Sequence, residues 1–360
     1  MVRPPDPVAL RDDRTRSARF LVGLDASWTR LETTVAVIAV AIEVFSMSLW
    51  VLLKGLSTPA DSESHGGIVA RAILLALGLG LGAWFAGKRA RPRARIGATV
   101  GFAVLGVLVA PHVATVGVQY TSNLLNWYQQ GSVLTLVGGL RGVGTRLNLI
   151  LALVGGSLAT ARGKHIVLDM TTRLLRGRMR WVAAAATGLL CALVSGAAAW
   201  GFFDHVSIED FDARADMTAR QKVAQVFERL GEDGFIVRSQ LELDFRSVPH
   251  VVFRGEPYAD WLKGAEWNHW VASAGFDQRY GHEATLAVLI PDDESRAPLV
   301  VIPGLGEPRG ELTKAGDLIV PVGLLLIALR FLLRVALVSI GAVSAEPDAS
   351  DEALEPAAGS

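Results

Sequence analysis

Six runs of apolar residues, most of them near the length needed to cross a bilayer, leave few folds open to this chain. They fall at about Thr33–Leu53, Ile68–Ala86, Ile96–Val118, Leu147–Ala161, Trp181–Phe203 and Leu318–Ile340. A helix needs roughly 20 apolar residues to cross roughly 30 Å of hydrocarbon. Lipid tails offer no hydrogen bonds, so backbone groups must pair within the segment, which selects the α-helix. Composition agrees: 51% of the 360 residues are hydrophobic, and mean hydropathy is +0.37. The fold expected is an all-α polytopic membrane protein of about six transmembrane helices. The fourth run is short. It follows Ser132–Thr145, a Gly-rich stretch broken by Arg141, which reads as an interfacial or re-entrant helix leading into the span.

Basic residues in the short connections set the orientation. Lys88, Arg89, Arg91, Arg93 and Arg95 lie between runs two and three with no acid among them. Arg162, Lys164, Arg173, Arg176, Arg178 and Arg180 lie between runs four and five with Asp169 as the one acid. Gly55–Gly67 carries only Asp61 and Glu63, and Tyr120–Gly131 carries no formal charge. Both basic loops, and with an even number of spans both termini, are expected in the cytoplasm. Residues 1–31, charged and mixed in sign, lack a signal-peptide pattern and form a cytoplasmic N-terminal segment. Residues 32–203 hold helices one to five, and 315–343 hold helix six. Residues 344–360, acidic and rich in Ala and Pro, read as a disordered cytoplasmic tail.

Residues 204–314 then form an extracytoplasmic insert, long enough to bury a core of its own. Thr218 and Gln221 resemble a capping box, and Val223, Val226, Phe227 and Leu230 follow at helical spacing. Val248–Phe253, Thr285–Ile290 and Leu299–Ile302 read as short strands bounded by Pro and Gly. The insert is expected to be a small α+β domain.

Chemistry-bearing residues are sparse. Lys plus Arg equals Asp plus Glu at 35 each, which leaves no basic footprint for nucleic acid. The lone Cys191 allows neither an internal disulfide nor a zinc site, and no cofactor is expected. Glu43 lies inside the first run, where a carboxylate is costly and needs a protein or water partner. Pro111 and His112 read as a kink with a bundle-facing imidazole, and Arg141 and Arg146 as snorkelling cations. His165 and Asp169 stand four apart, on one face of any helix there. His250, His269 and His282 share the insert with Trp261, Trp267 and Trp270, without a nucleophile motif, phosphate loop or metal spacing. The Gly78–Gly82 run and Gly155, Gly156 and Ser157 are small residues that let helices approach closely.

Residues 146–170 read RLNLILALVGGSLATARGKHIVLDM. This resembles the second-helix signature of the small permease subunit of the tripartite ATP-independent periplasmic (TRAP) transporters. Arg146, Gly156, Ala159, Arg162, Gly163, His165, Ile166 and Asp169 fill the pattern. The last run, Ala315 through Pro321 with Arg330 behind it, is similar to the family's fourth helix, and the first run, with Trp50 and Lys54 near its outer end, occupies the expected place. The chain departs from the family in three ways. Gly142 and Val143 stand where an acidic pair is common, two spans at about residues 68–118 are inserted after the first helix, and a large insert separates runs five and six.

The resemblance implies a non-enzymatic inner-membrane subunit. It would support a large permease subunit in ion-coupled uptake of an organic acid or similar solute, which a periplasmic solute-binding protein delivers. On that reading Glu43, Arg146, Arg162, His165 and Asp169 are the candidate subunit-interface residues. The expected partners are the large permease, the binding protein and membrane lipids, with no nucleic acid. The rival is a membrane-anchored extracytoplasmic sensor or assembly module, for which six spans are more than anchoring needs.

Overall fold

The computed structural model describes residues 7–58, 66–89, 91–113, 115–162, 178–297 and 311–342. The elements are α1 (Pro7–Ser57), α2 (Gly66–Ala86), α3 (Pro92–Val109), α4 (Val118–Gln130), α5 (Gly139–Arg162), α6 (Arg178–Glu209), α7 (Ala219–Val248), α8 (Gly264–Ser273), α9 (Phe276–Tyr280), α10 (His282–Val288), α11 (Glu311–Asp317) and α12 (Ile319–Ser339). Six helical stretches are long and apolar enough to cross a membrane: Ala18–Ser57, Gly66–Arg89, Pro92–Val113, Gly139–Ala161, Trp181–Glu209 and Lys314–Ser339. The fourth is longer than the sequence suggests. Ser132 caps a short 3-10 turn at Val133–Val137, and Gly138 and Gly139 then adopt positive φ of 81° and 71°. The chain turns there and enters α5 directly, so the stretch Ser132–Thr145 is a capped 3-10 turn followed by the first turns of α5.

The α+β expectation for the insert is corrected: among the described residues there is no strand, only an isolated antiparallel bridge between Lys263 and Arg296. Val248–Phe253 is rich in β-branched residues, but it continues α7 into a π-helical turn over Pro249–Phe253. Its Arg254 N–H to Pro249 O bond at 3.2 Å has the five-residue spacing of a π-helix, and Glu256 N–H to His250 O at 3.0 Å closes the turn that follows. Thr285–Val288 lies within α10, where Thr285 Oγ donates back to Gly281 O at 2.9 Å. Leu299–Ile302 lies outside the described residues. Local propensity for strand is weak and yields to packing. His112 differs from expectation too. It sits exposed on the 3-10 turn Ala110–Val113 that ends α3, not inside a bundle.

Thr218 and Gln221 do cap α7: the Thr218 N–H and hydroxyl reach Gln221 Oε1 at 2.8 and 2.9 Å. The insert's core gathers Leu243 of α7, Leu262, Trp267, Trp270, Val271 and Phe276 around α8 and α9. Trp267 Nε1–H donates to Val288 O at 2.9 Å, and Asn268 bonds both backbone groups of Ile290 at 2.8 and 2.9 Å. The three tryptophans are thus mainly core, as their size favours.

The chain divides into two compact units. One comprises Met1–Glu43, Thr145–Phe227 and Lys314–Ser360, and the other Val44–Gly144 and Glu228–Thr313.

Candidate functional site

In the first unit, small residues bring three helices together. A Cβ on Gly323 of α12 would lie 2.5 Å from Leu153 Cδ1 of α5, and one on Gly188 of α6 would lie 2.5 Å from Val335 of α12. Gly156 meets Ile327 in the same way at 3.3 Å. Without side chains at these points, helices approach closely, which is the main attraction left where lipid is as apolar as leucine.

On this packing sits a buried charge cluster. Arg330, at mid α12, is 1% exposed. It donates to Asp25 Oδ1 at 2.9 Å, to Glu32 Oε2 at 3.2 Å and to Thr29 Oγ1. Its guanidinium also lies 5.3 Å from the Trp28 ring centre. Glu32 is itself buried and accepts from Trp28 Nε1 at 2.7 Å and Ser157 Oγ at 2.5 Å. Asp25, Trp28, Thr29 and Glu32 recur at helical spacing and present one face of α1. One turn further along α12, Arg334 donates to Thr160 O and Ala161 O at 3.0 and 2.8 Å. Those are end carbonyls of α5, which lack intrahelical partners and carry the negative end of the helix dipole. Trp181 Nε1 reaches Val338 O at 3.4 Å. The helix α12, from its middle to its C-terminal end, is thereby bonded to α1, α5 and α6. A buried ion pair is costly to assemble, but removing one partner costs more, about 3–5 kcal/mol, because the other charge stays buried.

The expected interface residues stand apart from this cluster. Glu43 is half-buried on α1. Arg146 is half-buried on α5 and packs on Gly316, where a Cβ would collide with its Nε. Arg162 ends α5. His165 and Asp169 lie outside the described residues. Sequence reasoning missed Asp25, Thr29 and Glu32 as partners of Arg330. The available signal was a helical face of polar residues just before the first apolar run, together with an arginine inside the last.

In the second unit, Arg71 of α2 is also buried. It donates to Gly67 O at 3.0 Å, Leu56 O at 2.9 Å and Val116 O at 3.2 Å. Five bonds join the α4 connection to residues 244–258: Val133 N–H to Asp244 Oδ2 at 2.7 Å, Tyr120 Oη to Val252 O at 2.8 Å, Asn123 Nδ2 to Glu256 O at 2.7 Å, Tyr258 N–H to Asn123 Oδ1 at 2.7 Å and Tyr258 Oη to Gln130 Oε1 at 2.9 Å. Burial pushes the Asp244 carboxyl up to about 6, against the lowering by its bonds from Val133 and Gln240. A cleft of about 570 Å³ opens beside the core, lined by Arg246, His250, Trp261, Glu266, His269 and Trp270 among others. His250 Nδ1 pairs with Glu256 at 2.7 Å, which holds that carboxylate below its usual range. Among the described residues no cluster of His, Cys, Asp or Glu forms a metal site.

Six apolar helices and a helix bundle tied by buried arginine define a multi-pass helical membrane protein. Residues 139–226 match the family model described as tripartite ATP-independent periplasmic transporters, DctQ component. The match spans α5, α6 and the start of α7, about a quarter of the chain, and together with the six apolar helices it supports a multi-pass protein of the inner membrane. The motif read at residues 146–170 falls inside the match. Comparison with curated proteins and with solved structures finds no match.

Proposed function

We propose that this chain is the small integral-membrane subunit of a TRAP-type secondary transporter, supporting a large permease subunit during ion-coupled uptake of an organic acid or similar solute. The observation that carries the reading is the family match over residues 139–226. The close packing of α5, α6 and α12 supports it, since the resemblance read in the sequence includes spans four, five and six. A chain that braces a partner needs a stiff scaffold, and a buried arginine bonded through both terminal nitrogens to α1 contributes to one.

On this reading both termini face the cytoplasm. His165 and Asp169, with Arg162, Arg146 and Glu43, contact the large permease. The 204–314 segment lies in the periplasm, where it meets the delivered solute-binding protein. The test is co-purification. The tagged chain, expressed in its own host, is expected to bring down a large polytopic membrane protein, and His165→Ala is expected to weaken that capture. If the wild-type chain captures no large membrane protein, the reading falls.

A further inference from the structure

We propose that the turn carrying Phe253 and Arg254 rests in the bilayer's headgroup zone, so that the 204–314 segment is seated on lipid instead of standing clear of it. The inference needs only that the apolar helices span a membrane, and it is independent of the transporter assignment.

Arg71 fixes the level. It binds Leu56 O, one residue before α1 ends, and Val116 O, while sitting in the second turn of α2. Val116 therefore lies at the membrane rim, beside the end of one span and the start of the next. Tyr120 lies in the first turn of α4, which starts two residues after Val116 beyond the left-handed Gly117, and its hydroxyl binds Val252 O. Its ring also packs on Gly255, where an added Cβ would lie 3.3 Å from Tyr120 Cδ2. Phe253, between those two anchored residues, is held at the same level.

What this level exposes is apolar and aromatic. Val116 is 68% exposed, Tyr120 39% and Phe253 80%. One exposed phenylalanine on a soluble face needs no account. Two aromatic rings, Tyr120 and Phe253, with exposed Val116 beside them at the end of a transmembrane hairpin, resemble the aromatic belt that membrane proteins place at the headgroups. Arg254 adds an exposed cation next to the ring, suited to a lipid phosphate, and among the described residues it pairs with Glu256 at a long 3.5 Å. The turn itself is π-helical, a rare form that often marks functional positions.

Depth measurement tests this. Single cysteines replace Phe253, Leu105 (mid-span on α3) and Glu283 (exposed on α10) in a Cys191→Ser background. Each is labelled with bimane, and the purified chain is placed in phosphatidylcholine vesicles with or without dibrominated acyl chains. Label at 253 is expected to be quenched by bromolipid at least about twofold more than label at 283, approaching 105, with reduced quenching by aqueous iodide. Quenching at 253 equal to that at 283 in both solvents overturns the proposal. So does protection from both quenchers, which would mean a second copy of the chain covers the turn. If Phe253→Cys disturbs the turn, Arg254→Cys reads the same depth. Loss of permease capture in the earlier test would leave this result untouched.

Discussion

Arg330 carries the sharpest single-residue consequence. Arg330→Met keeps the length of the side chain but strands Asp25 and Glu32 in the bundle, and should cost about 3–5 kcal/mol. In detergent this appears as a lower unfolding temperature and a smaller monodisperse fraction. The triple variant Arg330→Met, Asp25→Asn, Glu32→Gln removes the stranded charges and is expected to recover most of the loss. Asp244 gives a second prediction. Its carboxyl titrates near 6 in the fold, against 3.8 ordinarily. The folded state therefore holds the proton more tightly, so the group's contribution favours folding at low pH and is lost as pH rises from about 4 through about 6. Asp244→Asn keeps an acceptor for the Val133 N–H without the charge. Its unfolding temperature at pH 7.5 should equal or exceed the wild type's, and its change between pH 4.5 and 7 should be flatter.

At the scale of elements, the α2–α3 hairpin depends on one glycine more than on the glycine run that marks it in the sequence. A Cβ on Gly106 would lie 2.5–2.7 Å from the Leu75–Ala76 backbone, whereas among Gly78, Gly80 and Gly82 only Gly80 faces α3, with Ala103 Cβ at 3.4 Å. Gly106→Leu should part the hairpin and destabilise the protein by about 1–3 kcal/mol or more, as overpacking does. Gly82→Leu should be neutral. Thermal unfolding of the two variants side by side checks both. The spans were legible because hydropathy accumulates over some 20 residues and survives local exceptions. The insert was not. Six-residue runs such as Val248–Phe253 carry too little pattern to separate a strand from a helix that simply continues. Arg330's partners were hidden for another reason: Asp25, Thr29 and Glu32 lie in a charged stretch that hydropathy assigns to water, yet α1 runs unbroken through it.

For the whole molecule, chain parity and contact agree. The connections after spans one, three and five must share a side of the membrane, and bonds join them: Arg71 links Leu56 with Val116, and Asn123 links to Glu256 and Tyr258. The loop between spans two and three must then face the other side. Thiol labelling of Ala94→Cys and Ser273→Cys in intact cells, on a Cys191→Ser background, should mark only position 273, since both sites are exposed. Labelling of both by an impermeant reagent would force the topology to be redrawn. The candidate interface was only partly legible. The motif that names the family was readable, but which of its residues touch a partner depends on a surface no single chain displays.

The Arg330–Asp25 bond joins residues 305 positions apart. During synthesis at roughly 5–20 residues per second, the acids on α1 wait about 15–60 seconds for their cation. Until the final helix emerges and inserts, the nascent bundle carries two unneutralised carboxylates and an open groove beside α5. A chain cut short before α12 never loses that mark. Closure of the bundle around α1 and α5 thus depends on the helix made last.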